Sequence, residues 1–333
     1  MELGRLAITL PVPFLDARAC VELGRRAEAE WGYDAIWLAE TNGPDSFTLA
    51  GALAMATSRV AIGTAIVPVY GRSPAVLAMS AGALAQLSGD RFVLGLGSSS
   101  HAIVDGWHGI PFERPLAHVR ESVELVRAAL TGKRTDYRGE VFRSTGLRLG
   151  ATSPKPVPIY LAALREKMLR LAGALGDGLI VNLFPLAALP RILAAWRAGA
   201  AEAGRDVAGQ EVVCRFQVAV TDDVPRARQL VRAAFGGYVA TPVYNRFFAW
   251  CGWEDVARRV AEAFARGDRT GVAAAMTDEF VDGIAILGSA QACRERIAAF
   301  VAGGVTTPVI SPLAVDPAGV ERVFEAFAPL RDA

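Results

Sequence analysis

The amino-acid sequence predicts an α/β protein of the (β/α)8 TIM-barrel class with insertions. Short apolar, β-branched segments alternate with helical segments along the chain, an order typical of parallel α/β folds. The chain has 333 residues, a length that suits an eight-stranded barrel with insertions. No linker rich in Gly, Ser or Pro divides it, so we expect one domain over residues 1–333.

The first half of the chain contains four strand–helix units. Predicted strands occupy residues 6–10, 35–39, 59–65 and 92–96, and predicted helices occupy residues 16–31, 47–57, 73–87 and 115–130. Ser73 is a suitable N-cap, with Pro74 at the first helical position and Gly89 just past the helix end. Because parallel strands need a crossover connection, these units indicate parallel pairing.

The second half continues the alternation with two interruptions. Predicted strands occupy residues 159–162, 178–181, 212–220, 284–287 and 307–311, with helices at 165–175, 187–203, 290–302 and 317–327. We expect a hairpin excursion at about residues 131–150 and a helical insertion at about residues 224–282 over one end of the barrel. Ligands of α/β folds bind where strands end, so the loops 65–72 and 97–101 are the first candidates for a site.

Composition excludes several classes of protein. Hydrophobic residues make up 52% of the chain and charged residues 21%, which indicates a large core and no disorder. The net charge of +1, with Lys and Arg spread along the chain, argues against a nucleic-acid partner. We expect a cytoplasmic protein, because neither a signal segment nor a membrane-length apolar run occurs. The cysteines have no metal-ligand spacing and are expected to be buried thiols: Cys20, Cys214, Cys251 and Cys293.

A few polar residues near predicted strand ends are candidates for chemistry. Glu40 follows an apolar strand, where a carboxylate is costly unless it is paired or functional. It either acts on a ligand as acid or base, or forms a cap or ion pair at the rim. His101 follows the fourth strand, and an imidazole exchanges protons near neutral pH. Trp107 is a candidate lid residue, while Tyr70 and Arg72 either cap a substrate pocket or anchor the loop.

Short motifs in a fixed order carry a family resemblance. They are WLAE at 37–40, IGTAI at 62–66, RSP at 72–74, LSGDRFVLGLG at 87–97, IYLAA at 159–163 and AGGV at 302–305. With these motifs the chain resembles the bacterial luciferase-like superfamily of (β/α)8 barrels. More narrowly, it resembles the members that use the deazaflavin coenzyme F420.

This resemblance implies an oxidoreductase that transfers a hydride between F420 and a small organic substrate, an alcohol, a carbonyl compound or an activated alkene. Such enzymes carry a non-prolyl cis peptide in a bulge at the end of the third strand, and the matching pair here is Ala65–Ile66. The bulge presses on the back of the ring system, which Ile66, Val67 and Pro68 would line. Glu40 or His101 would move the accompanying proton.

The resemblance also implies where the rest of the cofactor binds. Ser98 and Ser99 match positions that meet the cofactor, and Asn182 matches a position that hydrogen-bonds its tail or ring edge. Leu164, Arg165, Lys167 and Met168 match the region that holds its phosphate-bearing tail. Free N–H groups at a helix N-terminus attract anions, which agrees with this placement.

The sequence departs from relatives that oxidise a sugar phosphate. Those relatives have an acidic residue followed by His after the second strand, and a Glu in the loop after the fourth. Here the corresponding residues are Glu40–Thr41 and Ser100. The Gly-Pro pair often seen after the fifth strand is Arg165–Glu166. We expect Thr41, Tyr70, Ser100 and Trp107 to line the substrate pocket.

Two other functions stay open at this point. One is an FMN-dependent luciferase-like monooxygenase that works with a flavin reductase. The other is a barrel that binds a flavin-like ligand without turnover. In each case we expect a homodimer with a small-molecule ligand and without a metal ion.

Overall fold

The chain forms twelve strands across residues 3–329, the part that the computed structural model describes. In chain order they are β1 (Ala7–Leu10), β2 (Ala35–Leu38), β3 (Ala61–Thr64), β4 (Val67–Pro68), β5 (Phe92–Gly97), β6 (Asp136–Arg138), β7 (Arg143–Thr145), β8 (Ile159–Ala162), β9 (Gly178–Asn182), β10 (Glu211–Val220), β11 (Ala285–Gly288) and β12 (Thr307–Pro312). The two ends of the predicted 1–333 domain lie outside the described residues.

Eight of these strands close a parallel barrel. Their order is β1, β2, β3, β5, β8, β9, β10 and β12, and β12 pairs with β1 to complete the ring. Three of these strands, β1, β2 and β12, are buried along their whole length, as expected for parallel strands covered by helices. The predicted (β/α)8 barrel is therefore confirmed.

The other four strands extend or decorate the ring. β4 pairs with the end of β5, and β6 and β7 form an antiparallel hairpin within the region of the predicted excursion. β11 pairs with residues 217–220 of β10, beyond the stretch of β10 that pairs with β9. The strand predicted at 284–287 therefore exists but stands outside the closed ring, because the ten-residue β10 is long enough to hold both neighbours on one edge.

Fourteen α-helices surround the barrel in the described part of the chain. They are α1 (Ala17–Arg26), α2 (Ser46–Ala56), α3 (Pro74–Ser88), α4 (His101–Val104), α5 (Pro115–Leu130), α6 (Glu166–Leu175), α7 (Leu189–Glu202), α8 (Val224–Ala240), α9 (Pro242–Trp250), α10 (Glu254–Ala265), α11 (Arg269–Ala275), α12 (Asp278–Ile284), α13 (Ala290–Ala302) and α14 (Pro317–Ala326). Helices α8 to α12 occupy the region of the predicted insertion. None of the described helices is both long and apolar enough to cross a membrane.

Helix starts follow the capping chemistry that the sequence indicates. The side chain of Ser73 accepts a hydrogen bond from the Val76 N–H at 3.3 Å, and Pro74 opens α3. Gly89 ends that helix with a left-handed φ of 63°, which costs glycine little. The predicted helix at 16–31 is shorter, because α1 gives way to a π-helical turn over Ala27–Trp31.

Large and small side chains divide the barrel interior into a filled and an open part. The rings of Trp37 and Tyr160 stack with centroids 5.7 Å apart and fill the middle. Glycines on the neighbouring strands make room for them. A Cβ at Gly63 would lie 2.4 Å from Trp37, and one at Gly178 would lie 2.7 Å from Tyr160. The carboxyl ends of β5 and β8 carry only Gly97 and Ala162, so the space above the rings stays open.

A buried carboxylate fixes the hairpin of the excursion to helix α5. The Glu121 side chain, 1% exposed, accepts hydrogen bonds from the N–H groups of Glu140, Val141 and Phe142 at 2.7 to 3.0 Å. Burial opposes the charged form, but these three hydrogen bonds outweigh it and lower the pKa of Glu121.

Replacing Glu121 by Gln should therefore lower the free energy of unfolding by about 1–3 kcal/mol, since an amide nitrogen faces N–H donors. The folded-state pKa lies below the unfolded one. The stabilisation that the Glu121 hydrogen bonds provide is therefore present above the unfolded-state pKa of this group. It is lost as pH falls through the folded-state pKa. Urea unfolding at several pH values measures both effects. The exposed Asp136 on the same hairpin gives the control Asp136→Asn, and an equal loss in both variants would contradict this account.

Candidate active site

A cavity of about 620 Å3 opens at the carboxyl ends of the barrel strands. Its walls come from the ends of β5, β8 and β9, from the middle of β10, from the segments after β2 and β3, and from α6, α8 and α9. This is the end of a TIM barrel at which enzymes carry their sites.

Most of the residues expected around a cofactor or substrate line this cavity. They are Glu40, Thr41, Ala65, Ile66, Ser98, Ser99, Ser100, Leu164, Arg165, Lys167, Met168 and Asn182. Their positions in the chain are far apart, and the barrel brings them together because each one follows or ends a strand.

The wall after β3 is a bulge held against β5. The peptide bond between Ala65 and Ile66 is cis. The Thr64 hydroxyl donates to the Gly95 carbonyl and accepts from the Gly95 N–H, both at 2.8 Å. This two-way bridge connects the strands between the β3–β5 and β4–β5 pairings. A Cβ at position 95 would lie 1.7 Å from the Thr64 carbonyl oxygen, so the close approach needs glycine there.

Replacing Thr64 by Val should lower the free energy of unfolding by about 1–3 kcal/mol, because it leaves the buried N–H of Gly95 without its acceptor. Thr64 is fully buried, so water cannot replace the lost bonds. Thr64→Ser keeps the hydroxyl and serves as the control. Chemical denaturation measures the change, and equal losses in the two variants would show that the hydroxyl bridge is not what stabilises the bulge.

Glu40 lies at the cavity edge in a charged network. Its two carboxylate oxygens accept hydrogen bonds from Arg72 at 2.6 and 3.0 Å, and one of them also accepts from the Ser46 N–H at 3.1 Å. Arg72 also pairs with Asp45 and lies over the ring of Phe47. The Glu40 side chain is 16% exposed, on the side of the cavity. Glu40 is therefore ion-paired at the rim, as one of the two alternatives states, and it also lines the cavity, so that its action on a ligand stays a prediction.

Two roles were predicted for Arg72, capping a substrate pocket or anchoring the loop. The structure supports the second, because the contacts of Arg72 anchor the loop after the bulge. Burial works against the charge of its partner Asp45. Hydrogen bonds from Thr48 and the charge of Arg72 outweigh that effect and lower the pKa of Asp45.

Val67 and Pro68 do not line the cavity, although the resemblance implies that they do. They form β4, which pairs with β5 beside the bulge, and Val67 is fully buried in the core outside the barrel ring. The part of the back wall that faces the cavity is Ala65 and Ile66.

Tyr70, His101 and Trp107, expected in the site, also lie outside the cavity lining. The Tyr70 hydroxyl donates to the Glu113 carbonyl oxygen at 2.5 Å, and its ring stacks on His118, so this residue anchors the following loop.

His101 opens α4 with a side chain 66% exposed, and its Nδ1 lies 3.7 Å from the Asp105 carboxylate. Trp107 is 57% exposed to solvent. His101 on the short helix α4 and Trp107 in the loop after it both point outward, and Ile103 and Phe112 face the cavity instead.

The mouth of the cavity is suited to an anion. Helix α6 begins there, and its N-cap residue Arg165 makes no side-chain capping hydrogen bond, so backbone N–H groups of the first turn are free for a ligand. The side chains of Arg165, Lys167 and Arg246 surround this point. Arg165 and Arg246 lie close enough to repel each other. The donor set fits a phosphate-bearing tail, while the apolar wall of Ala65, Ile66 and Ala162 fits a flat ring.

The wall formed by β10 and the helical insertion was not predicted from the sequence. Arg215, Tyr238, Tyr244, Arg246 and Trp250 all face the cavity. One signal for Arg215 was present, namely a single cation in the otherwise apolar strand VVCRFQVAV. Across residues 3–329, no group of three or more His, Cys, Asp or Glu side chains is placed to hold a metal ion.

Comparisons with known proteins agree with this architecture. The model of the family described as luciferase-like monooxygenase matches residues 6–307. The 5,10-methylenetetrahydromethanopterin reductase of Archaeoglobus fulgidus is 33% identical over 295 residues, which are 86% of this chain and 87% of the relative. The F420-dependent glucose-6-phosphate dehydrogenase of Rhodococcus erythropolis is 32% identical over 235 residues, covering 65% of this chain and 68% of the relative.

A solved structure shows the same fold. The coenzyme F420 dependent tetrahydromethanopterin reductase of Methanopyrus kandleri superposes with a TM-score of 0.82 and 22% identity, over 98% of this chain and 97% of that one. The predicted family is thus confirmed by a match over most of the sequence. This chain belongs to the luciferase-like monooxygenase family.

Proposed function

We propose that this protein is an F420-dependent oxidoreductase that transfers a hydride between F420 and a small alcohol, carbonyl compound or activated alkene. The observation that carries the proposal is the cavity, which combines a flat apolar wall with an anion site at its mouth. A relative that is 32% identical to this chain is named as an F420-dependent glucose-6-phosphate dehydrogenase. When bound, the deazaflavin would supply the hydride chemistry.

The chain's own residues would bind and orient the cofactor. Ala65 and Ile66 would contact one face of the ring. The first turn of α6, with Arg165 and Lys167, would hold the phosphate of the tail by charge and by backbone N–H groups. Ser98, Ser99 and Asn182 offer hydrogen-bonding groups for the ring edge and for the part of the cofactor between ring and tail.

Glu40 is the group on the cavity wall that we assign to proton handling. It is the carboxylate of the second strand end, and the Arg72 pair fixes its orientation. A carboxylate held in this way accepts or returns a proton when the substrate oxygen or carbon lies within hydrogen-bond reach. His101 points to solvent and is not part of this proposal.

The expected homodimer also stays a proposal. Exposed apolar side chains on α2 and α3, namely Met55, Val76 and Met79, supply a surface that a second copy would cover. The cytoplasmic location stays a prediction from the sequence.

Turnover tests the function. Oxidised F420 is mixed with the protein and a panel of primary and secondary alcohols, and reduced F420 with aldehydes, ketones and activated alkenes. We expect at least one class to change the absorbance of the cofactor at a rate proportional to protein concentration. Absence of turnover with every class, in protein that binds F420, would instead favour a barrel that binds without catalysis.

The FMN-dependent monooxygenase is separated by reaction with oxygen. The family model carries the name of monooxygenases, so the same panel is repeated in air with FMN and a flavin reductase. Oxygen-dependent product formation with FMN, and none with F420, would overturn the proposal.

A further inference from the structure

Arg215 lies on the wall of the cavity opposite the bulge, and its positive charge has no role in the function proposed above. Arg215 pairs in register with Asn182 on β9 and Val309 on β12. Side chains alternate along a strand, and Val213 and Arg215 face inward whereas Cys214 and Phe216 pack outward. The guanidinium therefore projects into the barrel, where Arg215 lines the cavity.

Arg215 is fixed by neutral groups. With the Gln217 amide oriented to satisfy its neighbours, its oxygen accepts from Nε and Nη2 of Arg215 at 3.0 and 3.1 Å, and its nitrogen donates to Ser311 Oγ at 3.1 Å. This chain of contacts holds the plane of the guanidinium. In the described residues, Nη1 has no hydrogen-bond acceptor from the protein, so its two N–H groups are free for a ligand.

No carboxylate among residues 3–329 lies within ion-pair distance of Arg215; besides Gln217, its polar neighbours are Tyr238 and Tyr244. Burial lowers the pKa of Arg215, which shows that the charge is partly desolvated. A desolvated cation without a counter-ion is costly in the free protein, and an anion from outside would offset that cost.

A second donor stands beside it. Tyr238 donates to the Tyr244 hydroxyl at 2.7 Å, and both residues line the cavity. Desolvation raises the pKa of Tyr244 well above its ordinary value. The phenol therefore stays protonated and able to donate a hydrogen bond. A guanidinium edge and a neutral phenol together match the two oxygens of a carboxylate.

We propose that Arg215, with Tyr244, binds a carboxylate group of the substrate, so that the substrates of this enzyme are small organic acids. The inference rests on the proposed function for the reaction, but it concerns a different wall of the cavity. The anion site at the mouth, formed by α6, Arg165 and Lys167, would hold the cofactor tail. The Arg215 site lies on β10, two strands along the ring from β8 and opposite the bulge after β3, and would hold the acid.

The test uses butanoate and its neutral isostere butanamide as probes, with affinities measured by ligand-observed NMR. We expect the wild-type protein to bind butanoate about tenfold to a hundredfold more tightly than butanamide, the worth of a charge-assisted hydrogen-bonded contact. In Arg215→Gln the ratio should fall towards one, and Arg215→Lys should keep part of it. Arg197→Gln, at an exposed position on α7, should leave the ratio unchanged.

Tyr244→Phe tests the site without touching the guanidinium and should reduce the same ratio severalfold, which keeps the inference testable even where Arg215→Gln folds poorly. A wild-type protein that binds both probes equally would overturn the inference, as would an unchanged ratio in the folded Arg215 and Tyr244 variants.

Titration of F420 on the same samples separates the two proposals. Loss of F420 binding in Arg215→Gln, with no carboxylate preference in the wild type, would assign Arg215 to the cofactor instead. Absence of F420 binding in the wild type, with the carboxylate preference intact, would overturn the proposed function alone.

Discussion

Replacing Glu40 by Gln should slow turnover by about a hundredfold or more, the usual contribution of a positioned acid or base. The change removes the carboxylate from the cavity wall and leaves its size nearly unchanged. His101→Gln should have little effect, because that side chain faces solvent. Steady-state kinetics with the substrate class found by the panel, together with F420 affinity, measures whether kcat falls while binding is retained.

The ion pair with Arg72 supplies the control for this prediction. Asp45 is the other carboxylate partner of Arg72 and does not line the cavity. Asp45→Asn therefore disturbs the same network without removing the group that faces the ligand. If Asp45→Asn slows turnover as much as Glu40→Gln, Glu40 acts through loop structure, and its assignment to proton handling fails.

Reversing two charges at the cavity mouth should weaken F420 binding by about a hundredfold, since two charge-assisted contacts to an anion become repulsive. The variant is Arg165→Glu combined with Lys167→Glu at the start of α6. Wild-type affinity should also fall as salt concentration rises, because exposed charges are screened. Fluorescence titration of F420 at two ionic strengths measures both effects.

A matched double reversal separates local from overall charge. Arg134 and Arg138 lie exposed at the excursion hairpin, outside the cavity lining. Changing both to Glu alters the net charge of the protein by the same amount. Equal loss of affinity in the two double variants would show that long-range charge, and not the helix terminus, governs binding.

The barrel was predictable because its strands are nearly continuous apolar segments and its helices carry clear caps. Ser73, Pro74 and Gly89 mark both ends of α3 without any tertiary information. β11 was predicted as a strand, but nothing local distinguishes it from a ring strand. Only the length of β10, and the pairing this permits on one edge, places β11 outside the ring.

Site residues were predictable where they end a strand. They were less predictable within loops, where the path of the loop decides which side chains face the cavity. Glu40, Ala65 and Asn182 line the cavity because the strand before them fixes their position. His101 and Trp107 follow β5 within a loop that forms α4, and the packing of Ile103 and Phe112 decides which side chains turn inward. Local sequence does not contain that packing.

Arg215 was missed for a different reason. Alternation along β10 separates its residues into two faces, but the sequence alone does not say which face is inside the ring. That choice depends on the register between β10 and both neighbours. The same limit applies to predictions for the insertion helices α8 and α9. Tyr244 and Arg246 reach the cavity only because of the way these helices cover the end of the barrel.

Titration of the wild-type protein with F420 and, separately, with FMN tests the central claim most directly, because it asks whether the cavity binds the deazaflavin. Quenching of cofactor fluorescence gives the two dissociation constants under identical conditions. We predict saturable binding of F420 with one site per chain, and weaker binding of FMN. Tighter binding of FMN than of F420, or no saturable binding of either, would contradict the account.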